Sequence, residues 1–157
     1  MNIKDREKEI ERRKKNLKEF GPIALAVMQK YCVDNGLKLT HTEETPIDFE
    51  GVDFIITTNK REIPLAFRVI KSNAKCLFLR YSGALGGESE AQKIEKDETM
   101  AIGYATYEMT TKIFRIYKMS DIKEWLQSPR QLSFGDDGSR YYKIPFSDLK
   151  PIEEIQM

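Results

Sequence analysis

Residues 52–71 read Val-Asp-Phe-Ile-Ile-Thr-Thr-Asn-Lys-Arg-Glu-Ile-Pro-Leu-Ala-Phe-Arg-Val-Ile-Lys. Two runs rich in β-branched and aromatic side chains, Val52 to Thr57 and Ile63 to Ile70, flank the polar, turn-like segment Thr58-Asn59-Lys60-Arg61. That composition predicts a β-hairpin. An acid, Asp53, stands at the mouth of its first strand, and the cations Arg68 and Lys71 stand on or just after its second.

On the N-terminal side, Ile3, Ile10, Leu17, Ala24 and Tyr31 recur every seven positions, with Phe20 and Val27 on a neighbouring row. The spacing predicts helix over 2–34 with one apolar stripe. Gly21-Pro22 interrupts it, because proline suits a first helical turn and breaks an interior. The expectation is therefore a basic helical arm over 1–21, a kink, and a buried second helix closed by Asn35-Gly36, which opens a single α/β domain over 22–157. After Gly36 the period changes to two, as Leu37 and Leu39 alternate with Lys38 and Thr40, which predicts a first strand before a polar turn at Glu43 to Pro46.

On the C-terminal side, Cys76 to Arg80 reads as a short strand, and Ser82 to Gly87 as a glycine-rich connector into a helix at Glu88 to Lys96. The connector is neither a Walker A nor a GxGxxG sequence. Met100 to Tyr107 and Lys112 to Lys118 read as strands, and Ser120 as the N-cap of a helix over Asp121 to Gln127 that Ser128-Pro129 ends. Phe134 to Gly138 reads as a turn. Tyr142 to Phe146 before Ser147-Asp148 mirrors Phe114 to Met119 before Ser120-Asp121, which implies shared capping chemistry. The resulting order is an α/β (α+β) chain with a mixed central sheet flanked by helices.

The 157 residues suffice for one core, and no apolar run approaches the roughly 20 residues needed to span a bilayer. The charged N-terminus lacks an apolar secretory segment, so the expected compartment is the cytoplasm. Cys32 and Cys76 form no metal-ligand or redox spacing. The net charge of +1 conceals an asymmetry, because residues 1–20 carry eight Lys/Arg against five Asp/Glu while the remainder carries 18 against 20. A basic arm of this kind suits either a phosphate backbone or a solvated helix face.

His41 is the only histidine and has no adjacent nucleophile pattern, so histidine-based catalysis is hard to assemble. Trp125, with Ile122 and Leu126, reads as a packing anchor. Tyr104, Tyr107, Phe114, Tyr117, Tyr141 and Tyr142 fall in strands, where core packing is the expectation and stacking on bases the alternative.

The hairpin, with Asp53 at the head of one strand and Ala66-Phe67-Arg68 on its partner, resembles the PD-(D/E)XK, or restriction-endonuclease-like, nuclease superfamily. Its signature is an Asp heading the second core strand and Glu-x-Lys along the third. The resemblance covers about residues 37–127 and includes a Ser89-Glu90-Ala91-Gln92-Lys93-Ile94 segment similar to one in nuclease-like proteins of phages and mobile elements. It implies a restriction-endonuclease-like fold, a metal-dependent DNA endonuclease, and Mg²⁺ held by Asp53 and Glu90. Arg68 then replaces the lysine, Glu90 supplies the carboxylate that Ala66 lacks, and Lys93 joins them one helical turn on. Asp53, Arg68, Glu90 and Lys93 are the expected catalytic group, while Lys71, Lys75 and Arg80 are the expected nucleic-acid contacts.

Ala66 equally supports a catalytically inactive module of this fold that binds nucleic acid or inhibits a partner protein. Taken singly, Asp53 or Asp48 can serve a turn, Arg68 can pair with a neighbouring acid, and Glu90 with Lys93 can be an exposed helix pair. The heptad row of the arm also admits homo-oligomerisation through the N-terminal helix.

Overall fold

The structure, a computed structural model, describes residues 3–42, 51–81, 89–128, 132–134 and 140–157. The expected turns at 43–46, at Asp48 and at 135–138, and the glycine-rich loop 82–87, lie outside the described residues. The first element is a helix, α1 (Ile3–Asp34), about 48 Å long at the usual rise. It runs through Gly21-Pro22, so the expected break into two helices is absent. Proline removes one intrahelical donor. The helix continues because the turns beyond are fixed from outside: Ala24, Val27, Met28, Tyr31 and Cys32 are all buried against the sheet. Burying a side chain such as Met28 completely stabilises by roughly 1.5–3 kcal/mol, enough to offset the missing bond.

The expected close at Asn35-Gly36 is present. Gly36 takes φ 65°, its N–H donates to Val33 O, and Leu37 N–H donates back to Cys32 O at 2.8 Å, the paired bonds of a Schellman ending. The strand β1 (Lys38–His41) follows, then β2 (Phe54–Thr57) and β3 (Glu62–Ile70), which pair as the expected hairpin with Phe54 opposite Leu65. Thr58 closes its turn by accepting from both Lys60 N–H and Arg61 N–H.

Beyond β3 come β4 (Cys76–Arg80), the helix α2 (Glu90–Glu95), β5 (Gly103–Glu108), β6 (Ile113–Lys118) and the helix α3 (Met119–Gln127). Then β7 (Ser133–Phe134), β8 (Arg140–Pro145), a 3₁₀ turn at Phe146–Asp148 and β9 (Glu153–Gln156) complete the chain. The main sheet has the order β1-β2-β3-β5-β6-β9, and β3–β5 is its single parallel pair, reached by a crossover through β4 and α2. The fold is therefore mixed α/β with a largely antiparallel sheet. A second sheet, β4-β8-β7, removes the Cys76–Arg80 strand from the main one.

Each face of the main sheet carries its own core. Met28, Phe54, Leu65, Ala105 and Phe114 pack beneath α1, whereas Ala66, Tyr104, Ile94, Ile122 and Ile144 pack beneath α2, α3 and the small sheet. Alternation along β3 divides its side chains between the two. Among the described residues, no helix is long and apolar enough to cross a membrane.

Ser120 does not cap α3. The helix starts one residue after β6, with Lys118 at its N-cap and no side-chain cap bond, because Met119 is buried and its N–H donates to Ile102 O. Tertiary packing, not capping chemistry, starts this helix. The mirrored Ser147-Asp148 does not cap its turn either; instead Asp148 accepts from the indole N–H of Trp125 at 3.0 Å. Trp125 is the expected packing anchor, edge-on to Tyr142.

Candidate functional site

Three elements meet where the acid of the hairpin stands. Asp53 precedes β2, with its backbone N–H donating to Leu65 O and its carboxylate Oδ2 accepting from Phe67 N–H at 2.8 Å. The side chain thus extends the ladder of β3 past the end of β2. Ser89 begins α2 with a capping box, its hydroxyl accepting from Gln92 N–H while Gln92 Oε1 accepts from Ser89 N–H, which fixes Glu90 in the first helical turn. Arg68 lies two residues beyond Ala66 on the same face of β3, turned toward α2.

The Arg68 guanidinium donates to Glu90 Oε1 at 2.8 Å, and the Tyr104 hydroxyl donates to Glu90 Oε2 at 3.0 Å. One carboxylate is therefore clamped on both oxygens. Tyr104 and Glu90 hold the guanidinium even more firmly in its charged form than an ordinary arginine, against the opposing cost of burial, and Asp53 adds to the effect. Burial, with Glu90 and Asp53 nearby, pushes the Tyr104 phenol well up, while Arg68 pulls the other way. Asp53, Arg68 and Glu90 thus lie within electrostatic reach of one another, in one cluster.

Tyr104 belongs to this cluster although the sequence places it only in a core strand. Its origin lies in the sheet register, which sets Ala66 directly beside Tyr104 on the parallel strand. Ala66 is buried and short, so the phenol occupies the space beside it. The next strand thus brings a hydroxyl to Glu90 beside Ala66. A tyrosine one strand away cannot be found by spacing, and the small residue at 66 is its only trace in the sequence.

Lys93 stands in the last turn of α2 and joins neither Arg68 nor Tyr104 in the contacts around Glu90. Lys71 follows β3, and its ammonium reaches Glu19 of α1 at 3.5 Å, which places the helical arm alongside the end of the hairpin. Lys75 is exposed in the same turn at φ 53°, and Arg80 ends β4 in the second sheet. His41, at the end of β1, lies flat on Phe54 with ring centroids 4.9 Å apart.

Magnesium requires free, hard oxygen ligands. In this cluster both Glu90 oxygens accept from Arg68 and Tyr104, Asp53 Oδ2 accepts from a backbone N–H, and Ala66 offers none. A guanidinium at 2.8 Å from Glu90 also repels a divalent cation from that oxygen. In this arrangement both Glu90 oxygens are taken, so holding Mg²⁺ would require Arg68 to turn away from Glu90.

No family model matches the chain, and no curated protein matches it.

Proposed function

We propose that this chain is a restriction-endonuclease-like module that binds nucleic acid without metal-dependent cleavage. The observation that carries this reading is the Glu90 carboxylate, closed on one oxygen by Arg68 and on the other by Tyr104. The nuclease likeness is supported by Asp53 at the mouth of the second strand, by Arg68 on the third, and by α2 facing them in the crossover to β5, while Ala66 in the acid position supports the loss of cleavage. The nucleic-acid reading is supported by the basic arm, set beside Lys71 through Glu19. Arginine is the residue suited to a planar, bidentate oxyanion partner. Glu90 engages Arg68 through one oxygen, and a backbone phosphate oxygen could take the same place.

The second reading, a metal-dependent DNA endonuclease, is favoured by the convergence of Asp53, Arg68 and Glu90. It requires Arg68 to leave Glu90. Titration of Mn²⁺ into the protein, read by the electron paramagnetic resonance signal of free Mn²⁺, separates the two. We expect the free-ion signal to be unreduced at stoichiometric protein. Stoichiometric Mn²⁺ uptake that disappears in Asp53→Ala would establish the second reading instead.

A further inference from the structure

Beside the cluster, between α1 and the open end of the hairpin, lies a cavity of about 350 Å³. Its walls combine the rings of Phe20, Phe54 and Phe67 with the polar side chains of Asn16, His41, Asp53 and Arg68; Phe54 is stacked by His41 and Phe67 by Phe114, so the accessible ring face is that of His41. Directly adjoining it, a second hollow of about 440 Å³ shares Leu17, Gly21 and His41 with the first and adds Lys14 and Lys18. An aromatic slot with hydrogen-bonding groups thus adjoins a pair of ammonium groups, with His41 on the border of both. His41 is exposed, with its ring already flat on Phe54.

We infer that these two hollows form a nucleotide site for single-stranded nucleic acid, in which an unpaired base enters the ring-lined cavity and its phosphate lies on Lys14 and Lys18. This rests on the proposed function and names its substrate class. The chemistry follows from what an unstacked base presents: a π face that can stack on the exposed His41 ring, and an edge of donors and acceptors that Asn16 and Asp53 can read. A duplex hides both faces in its own stack, so the cavity has nothing to offer it beyond the lysines. The volume falls at the lower end of the range typical of small-molecule pockets, which suits one planar ring system better than a helix or strand.

The test is the affinity of the full-length protein for a fluorescently labelled single-stranded oligodeoxynucleotide, and for the same sequence as a duplex, across a salt series. We expect the single strand to bind more tightly. His41→Ala should weaken it about tenfold or more, as loss of a stacking platform does. Lys14→Ala with Lys18→Ala should reduce the log–log salt slope by about 1.4, the value for two phosphate contacts on a single strand. Lys60→Ala, in the hairpin turn, is the control and should change nothing. All three target positions, His41, Lys14 and Lys18, are exposed; should His41→Ala lose its fold by circular dichroism, Asn16→Ala on the helix surface carries the same expectation. Binding of DNA that prefers the duplex, or that ignores these substitutions, overturns the nucleotide site and leaves the proposed function standing. Absence of affinity for either form overturns both.

Discussion

Tyr104 is 1% exposed, and its hydroxyl donates to Glu90, whereas the Arg68 side chain is 41% exposed. The two bonds to Glu90 therefore differ in weight. An ion pair that solvent reaches contributes roughly 0–1 kcal/mol, while a buried hydroxyl stripped of its acceptor costs about 1–3 kcal/mol. Glu90→Ala should accordingly destabilise the protein by about 1–3 kcal/mol in urea unfolding, mostly through the stranded phenol. In a Tyr104→Phe background the same substitution should cost clearly less, a coupling within the ~0.5–3 kcal/mol seen for residues in one network. Additive costs would mean that Tyr104 and Glu90 act independently.

Tyr31, on the buried face of α1 near its end, gives a pH prediction. Burial, then the charge and hydrogen bond of Glu153, push the Tyr31 phenol up from 10.0 to about 12. In the unfolded chain this group ionises first, so the folded state holds the proton between those values. Its stabilising share is complete below pH 10 and is lost as the pH rises toward 12. Tyr31→Phe should flatten that part of the alkaline stability curve, measured by denaturant midpoints from pH 9 to 12. An unchanged slope would remove Tyr31 as its source.

At the scale of elements, the two helical and strand glycines make opposite predictions. Gly21 lies in mid-helix with a negative φ, and a Cβ there would meet only Leu17 at 3.6 Å, an ordinary contact. Gly21→Ala should therefore raise stability by roughly 0.5–1 kcal/mol through helix propensity. Gly103 begins β5, where a Cβ would lie 2.5 Å from the fully buried Leu65 side chain. Gly103→Ala should destabilise by about 1–3 kcal/mol, the usual range for overpacking. Thermal unfolding of both variants checks the pair, and a shift in the same direction for both would contradict it.

The hairpin, the Gly36 helix ending, β4 and β6 were legible because side-chain period, turn residues and β-branching act locally. What stayed hidden depends on contacts between distant segments. Pro22 signals a break, yet burial of the turns after it keeps α1 continuous. The strand β9 carries two glutamates, poor strand formers, and is held by pairing to β6 and by Arg115, which bonds Glu154 across the strands and Glu108 beside it. Asp53, Arg68 and Glu90 could be picked out from a motif, whereas Tyr104 enters only through the β3–β5 register.

For the whole molecule, charge and site point the same way. The basic excess sits on the arm, the remainder is slightly acidic, and Lys71 with Glu19 joins the arm to the hairpin that carries the cluster. If the chain binds nucleic acid as proposed, such a distribution would make that binding salt-dependent. The measurement that bears most directly on this is one incubation of the full-length protein with end-labelled DNA and Mg²⁺, followed for binding by anisotropy at low and high salt and for chain length on a denaturing gel. The account predicts salt-sensitive binding by the wild type, with the DNA recovered at full length from wild type and Asp53→Ala alike. Shortened products that require Mg²⁺ and vanish in Asp53→Ala would contradict it.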